Sequence, residues 1–241
     1  MSHRKTHSHI YQSRLHILTT LFVVVLPFLF LFFFSHVAHL ESAHLLNDIR
    51  TSLVRLVIAY IIAVVFAWVS AVLFYKGKSA LIALPIFDVL QSFPTFGLLP
   101  LATYAWGATD STIIFFLVIT IIWPLFFSII SSLKLVRRDW NEAVEIAGLK
   151  GFAYVRHFLF PVSLTGLITG SIIGLGEGWE ALVGTEIIVG MHDGLGSFFI
   201  TFSQNTSVTM FGIFGFLLLI FSINKLLWLP LLEWSHLKME E

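Results

Sequence analysis

Residues 111–133 read STIIFFLVITIIWPLFFSIISSL, twenty-three in a row without Asp, Glu, Lys or Arg. A helix needs about 20 predominantly apolar residues to cross roughly 30 Å of hydrocarbon, so this stretch by itself is one membrane span. Five more charge-free runs flank it: 15–40, 56–75, 89–109, 157–176 and 194–224. In a chain of 241 residues they leave little beyond spans and connections. The composition agrees. Hydrophobic residues make up 57% and charged ones only 12%, about half the charge of a soluble domain. A soluble enzyme, a disordered regulator and a nucleic-acid binder with a broad basic face are thereby excluded. The alternating ten-residue segments of an outer-membrane barrel are absent, so the expected class is an all-α polytopic membrane protein. Six transmembrane helices are expected, at 17–34, 53–74, 80–106, 111–132, 162–188 and 209–230. The third and fifth are too long for simple straight helices. With no cysteine, disulfides, thiolate metal sites and thiol catalysis drop out.

The first apolar run has a basic flank (Arg4, Lys5, Arg14) but exceeds a signal-peptide core, and no A-x-A cleavage pattern follows it. It reads as a retained anchor. Net charge is zero, yet the charges are unevenly placed. With the N-terminus inside, the cytoplasmic segments hold Arg4, Lys5, Arg14, Lys76, Lys78, Lys134, Arg137, Arg138, Lys150, Arg156, Lys225 and Lys238, and the external ones only Arg50 and Arg55. The positive-inside rule then puts both termini in the cytoplasm of a multi-pass inner-membrane protein. The expected organisation is a cytoplasmic tail (1–16), an anchor helix (17–34), a core domain (50–232) containing the cytoplasmic loop 134–161, and a C-terminal tail (233–241).

That loop has internal order. Asp139 followed three residues later by Glu142 predicts a capping box opening a short helix. Gly148 predicts its left-handed end, and a second helix is expected from about Gly151 toward Pro161. Ala143, Ile146 and Ala147 share one face of the first helix. Shape alone is equally that of a connector lying on the membrane surface. The residues say more: Glu142-Ala143-Val144, three residues, Gly148, nine residues, then Phe158-x-Phe160-Pro161. This resembles the EAA loop of ATP-binding-cassette (ABC) importer permeases of the type I kind, Glu-Ala-Ala, three residues, Gly, nine residues, Ile-x-Leu-Pro, with apolar replacements at Val144, Phe158 and Phe160. In that family the loop forms coupling helices seated in a groove of the ATPase subunit. The resemblance would give Glu142, Ala143, Val144, Gly148 and Pro161 that part here.

The likeness extends over about residues 50–232. Leu84-Pro85, Phe93-Pro94, Leu99-Pro100-Leu101, Trp106-Gly107, Pro124, the Trp179–Glu186 stretch and Gly194-Leu195-Gly196 are similar to the nitrate, sulfonate and taurine branch. The connection between the first two spans is shorter than in that branch and lacks its Pro-rich external segment. The fifth span carries more acids. The resemblance implies a permease subunit forming half a pathway, paired with a second copy or a paralogue, two ABC ATPase subunits beneath and an external substrate-binding protein. The chain has no G-x-x-x-x-G-K-[ST] phosphate loop. No enzyme activity and no cofactor are expected of it, with ATP and Mg held by the partner ATPase. The cargo implied is a small solute of the nitrate, sulfonate, taurine, bicarbonate or vitamin-precursor type.

Within the spans, Pro85, Pro94 and Pro100 each remove a backbone donor and are expected to break or kink the third span. Irregular backbone in a bilayer is tolerated only against protein or a water-filled cavity. Asp88, Gln91, Pro94 and Pro100 are therefore candidates for lining a pathway; the other reading is a kinked packing helix whose Asp88 snorkels to the cytoplasmic surface. Gly166, Gly170, Gly174 and Gly178 form a small-residue ridge suited to close helix packing. Glu177 and Glu180 flank Trp179, and Glu186 follows. An ionisable group in a span costs about 2.5–3.5 kcal/mol on insertion scales. These acids are gate or pathway candidates, with two alternatives: polar pairing between helices, or an outer-interface position if the span ends early. Arg55 is the nearest basic partner.

Ten histidines are present. His3, His7, His9 and His16 lie in the tail, and His36, His39 and His44 cluster with Glu41. Such spacing can bind zinc or nickel, but no tight signature occurs and a solvated polar flank accounts for both groups, so no metal site is assigned. Two other functions stay open: a secondary transporter or channel with Glu177 and Glu180 as an acidic relay, and a histidine-based metal permease.

Overall fold

The computed structural model describes residues 19, 22–23, 25–27, 29–36 and 42–240. Among them there is no strand. In chain order the helices are α1 (Val25–His36), α2 (Ser42–Phe74), α3 (Gly77–Gln91), α4 (Leu99–Trp106), α5 (Asp110–Lys134), α6 (Arg138–Ile146), α7 (Gly151–Tyr154), α8 (Phe160–Val189), α9 (Leu195–Thr201), α10 (Thr206–Ile223) and α11 (Leu229–Glu240). Four continuous segments are long and apolar enough to span: His44–Phe74, Asp110–Lys134, Gly151–Val189 and Thr206–Ser235. A fifth is the bent pair Gly77–Gln91 and Thr95–Trp106, whose halves meet at 71°. The anchor expected at 17–34 corresponds to the shorter apolar helix α1. The tail 1–16, with His3, His7, His9 and His16, and also His39 and Glu41, lies outside the described residues.

The described residues form two compact units. One joins the described part of 1–46 to Thr201–Leu231; the other is Asn47–Ile200 with the described part of 232–241. In the first unit α1 packs on α10 through aromatic contacts. Phe30 meets Phe214 edge-on at 5.2 Å and Phe34 stacks on Phe211 at 5.9 Å. Ser222 donates to the carbonyl of Val23 at 2.8 Å.

The second unit is built on α2, α5 and α8. The glycine ridge of α8 lies antiparallel along α5. A Cβ at Gly166 would stand 2.8 Å from the Ile129 Cα, one at Gly170 2.7 Å from the Leu125 Cα, and one at Gly178 2.9 Å from Ile121 Cδ1. Backbone therefore meets backbone, which maximises dispersion contact where lipid supplies no hydrophobic drive between helices. On its other side α8 meets α2, where Ala59, Ala63, Ala67 and Ala71 are fully buried. Tyr60 and Ser171 share a 2.7 Å hydrogen bond, and the Trp68 indole donates to Ser163 at 2.9 Å. Large apolar side chains such as Leu73, Leu81 and Ile82 face outward, the inverse of a soluble protein and the arrangement a lipid solvent allows. α3 is fixed by Phe87, edge-on to Phe74 at 5.4 Å and to Phe126 at 5.0 Å.

Four local expectations are corrected. Pro85 sits inside α3 without ending it; the break falls at 92–94, where Pro94 takes φ −70°, ψ 89° and opens a short 3-10 turn, Thr95–Leu98. Pro161 does not end the second loop helix either. A π-turn at Val155–Leu159 joins α7 to α8, and Phe160 bonds back to Val155. The proline occupies the first turn of α8, so the turn absorbs its missing donor. The Asp139–Glu142 capping box does not form: α6 begins one residue earlier with no side-chain cap. Asp139 accepts instead from Arg137 at 3.0 Å and Glu142 from Arg138 at 2.8 Å, because flanking guanidiniums outcompete backbone donors. Finally, α2 starts at Ser42, not 53, so His44 is helical. Its polar first turns bond to protein: Asp48 accepts from the Gly194 N–H and Ser52 donates to Glu186.

Candidate functional site

Three features of the second unit concern function, and the first is a cleft of about 530 Å³ between α3, α5 and α8. Its wall includes Gln91, Ser92 and Thr95 from the broken span, Thr120, Trp123 and Ser128 from α5, and Glu177 from α8. Gln91, Ser92 and Thr95 come from the break of the bent span, where its halves meet at 71°. Asp88 stands at its edge, accepting from the Gln91 amide at 2.7 Å. Pro94 caps the 3-10 turn and Pro100 sits in the first turn of α4, both exposed. Glu177 and Glu180 are exposed, with no ion pair among the described residues. Trp179 between them is buried. Gly166, Gly170, Gly174 and Gly178 hold the opposite face of α8 on α5.

The second feature is a charge clasp at the end of the unit away from the 135–150 loop. Arg55 is 3% exposed and Glu186 fully buried. Arg55 Nη1 donates to Glu186 Oε1 at 2.7 Å, Nη2 to Asp193 at 2.6 Å, and Nε to Asp110 at 2.8 Å. Glu186 also accepts from the Ser52 hydroxyl at 2.8 Å and the Gly196 N–H at 2.9 Å. One guanidinium thus ties together α2, the start of α5, the end of α8 and the turn after it. The close glycines follow from this: a Cβ at Gly194, where φ is +96°, would stand 2.7 Å from Glu186 Oε1 and 2.8 Å from Arg55 Nη1. Glu186 is therefore remote from the cleft acids. Arg55 as its partner was legible in the sequence; Asp110 and Asp193 were not, since they come from separate elements, and neither was Ser52, which lies on α2 three residues before Arg55. The alanines of α2 were also overlooked, although their four-residue spacing is visible.

The third feature is the loop. α6 ends in a Schellman motif, with Gly148 at φ +64°, the Leu149 N–H on the Val144 carbonyl at 3.3 Å and the Gly148 N–H on Glu145 at 3.0 Å. Its apolar face is bare: Ile146 is 88% exposed, Phe152 on α7 is 77% exposed, and Glu142, Ala143 and Ala147 are exposed too. α7 is tethered to the end of α2, where the Tyr75 and Tyr154 hydroxyls lie 3.1 Å apart and Lys76 Nζ lies 5.0 Å from the Tyr75 ring and 5.3 Å from that of Tyr154. The Tyr75 hydroxyl holds the Lys76 ammonium above the ordinary lysine range, and burial raises the Tyr75 hydroxyl. Among the described residues no three His, Asp or Glu side chains are grouped to hold a metal ion.

Residues 63–229 match the model of the binding-protein-dependent transport system inner membrane component family. The chain is 31% identical over 163 residues to the nitrate import permease protein NrtB of Synechocystis sp., covering 67% of this chain and 58% of that protein. It is 25% identical over 114 residues to the bicarbonate transport system permease protein CmpB of Synechococcus elongatus, covering 47% and 41%. To the taurine transport system permease protein TauC of Escherichia coli it is 26% identical over 184 residues, covering 73% and 67%. The chain spans about half the length of the first two curated relatives it matches, 58% and 52%. With the helical bundle, the broken span and the exposed Glu-Ala loop in place, the match over 63–229 settles the family: the chain belongs to the inner-membrane components of binding-protein-dependent transport systems.

Proposed function

We propose that this chain is a permease subunit of an ATP-driven importer of small solutes, contributing half of a pathway through the inner membrane with both termini inside. The observation that carries this is the continuity of Gly151–Val189, 39 residues long. One end of that helix is the exposed loop bearing Glu142, Ala143, Val144, Gly148 and Pro161. Its middle presents Glu177 to the cleft, and its far end holds Glu186 in the clasp. A push on the loop is delivered to the pathway wall without crossing a flexible joint.

The proposed cycle uses these parts in order. ATP-bearing ATPase subunits seat α6 and the start of α7, whose apolar faces lack a partner among the described residues. Closure of the ATPases displaces the loop, and the Tyr75–Tyr154 contact carries the movement to α2 as well. α5 and α8 move as one body because the glycine ridge locks them. A second copy or a paralogue supplies the other half of the pathway, and an external binding protein delivers the solute on the clasp side. ATP and Mg belong to the ATPase; this chain's residues bind, line and transmit.

The test is purification of the tagged chain from its host in mild detergent. Retention of an ATPase subunit, lost together with ATP-dependent uptake in Glu142→Arg, is expected. Uptake that persists after ATP depletion, with no ATPase retained, would sink the proposal in favour of an acidic relay through Glu177 and Glu180.

A further inference from the structure

The cleft offers a carboxylate where an anion would need positive charge. Glu177 is its one charged wall residue. The hydroxyl hydrogens of Ser92 and Thr120 are already given to backbone carbonyls, to Asp88 at 3.0 Å and Phe116 at 3.0 Å. What these two side chains turn to a ligand is oxygen lone pairs. Asp88 takes one N–H of the Gln91 amide, and the Thr95 hydroxyl reaches the Phe93 carbonyl at 3.5 Å. Among the described lining residues the second Gln91 N–H, the Trp123 indole and the Ser128 hydroxyl remain as donors, and all three are neutral.

Sequence placement makes the bias stronger. No Lys, Arg or His occurs from 79 to 133 or from 158 to 191, while Asp88, Asp110, Glu177, Glu180 and Glu186 all lie in those runs. Every residue that lines the cleft lies in one of them. The arginine buried within the bundle, Arg55, is consumed by three carboxylates of the clasp, and Arg50 is not among the residues that line the cleft. An anion in the cleft would meet a carboxylate with no counter-charge among the described lining residues. A cation would meet that carboxylate, acceptor oxygens and the Trp123 side chain, and an indole near a carboxylate attracts organic ammonium groups.

We infer that the wall contributed by this chain selects for positive charge and that its solute is a small organic cation, a class distinct from the inorganic anions named for the nitrate and bicarbonate permeases it resembles. This rests on the importer reading, since it assigns the cleft to the pathway.

The natural absence of cysteine allows a test that needs no knowledge of the solute. Ser92→Cys is introduced into the full chain in its host membranes, and the thiol is reacted with two methanethiosulfonates of similar size, one bearing trimethylammonium and one sulfonate. Their rates are normalised to those with a free thiol. The cationic reagent is expected to react at least about 10-fold faster, a cautious figure for one carboxylate within several ångströms at an effective dielectric near 20. The ratio should collapse in Glu177→Gln and reverse in Glu177→Lys. Equal rates, a preference for sulfonate, or no reaction with either reagent overturns the inference. So does ATP-driven uptake of nitrate or bicarbonate by the wild-type assembly. ATPase retention is scored on the same membranes. Retained ATPase without cation preference defeats this inference alone, whereas cation preference without any ATPase defeats the importer reading.

Discussion

Arg55 and Glu186 are 131 residues apart in the chain, and their side chains meet at 2.7 Å with both almost wholly removed from solvent. The pair joins the start of one long helix to the end of another, and it is the point at which α2, α5 and α8 are held in one arrangement.

Breaking this pair from one side leaves an uncompensated buried charge, which typically costs about 3–5 kcal/mol. Glu186→Ala and Arg55→Ala are each expected to lower the melting temperature of the purified protein sharply. Arg55→Met with Glu186→Leu should recover part of the loss, because Asp110 and Asp193 are 65% and 49% exposed and can turn to water. A double-mutant cycle on thermal stability reads the coupling, expected above about 1 kcal/mol; additive effects would refute the clasp.

The glycine ridge predicts a position-dependent response along one helix. At Gly170 any side chain collides with α5 backbone, with the Leu125 Cα 2.7 Å from a new Cβ. Gly170→Val should therefore cost about 1–3 kcal/mol or more by forcing the helices apart. Nothing lies within 4 Å of a Cβ at Gly176, where Gly→Ala should gain about 0.5–1 kcal/mol from helix entropy. Melting curves of the two variants distinguish a packed ridge from a composition effect.

At Gly148 the cost is in the backbone alone, since φ is +64° and no atom lies within 4 Å of a Cβ. Gly148→Val should strain the Schellman turn by about 1–2 kcal/mol, and Gly148→Asn by less. Folded protein levels should hold while ATPase retention falls in the order Gly, Asn, Val. Equal retention in all three would detach the turn from docking.

Single cysteines read the orientation and the docking face together. Ile146→Cys should react with a membrane-impermeant maleimide only in inside-out vesicles, and slow by at least about fivefold when the ATPase is bound, as expected of a residue covered at an interface core. His192→Cys, exposed near the clasp, should react only from the outside. Labelling of both from one side would contradict the orientation read from the Lys and Arg distribution.

Solvent and class were legible without coordinates, because a chain that is 12% charged and keeps its apolar residues in uncharged runs of span length matches hydrocarbon, not water. The loop was legible because its signals are local: Gly148 needs its left-handed turn wherever the helix points, and the Glu-Ala spacing is a short-range pattern. The ridge at Gly166, Gly170, Gly174 and Gly178 announced close packing by its period. Its partner helix was hidden, since period says nothing of which backbone fills a groove. Prolines misled where local chemistry met tertiary compensation: Pro85 rides inside α3, Pro161 is absorbed by a π-turn, and only Pro94 breaks the span. Apart from Arg55 as a basic partner for the acids, the clasp and the cleft belong to tertiary structure. Ser52 and Arg55, Asp110, and Glu186 with Asp193 and Gly196 come from three separated stretches, and a buried ion pair exists only when distant helices desolvate both partners at once. The cleft likewise gathers residues of three distant segments, the break of the 71° bent span, α5 and α8. Sequence determined that this protein lives in lipid and how its 134–161 loop turns; folding decided which of its few charges lock the bundle and which line the cleft.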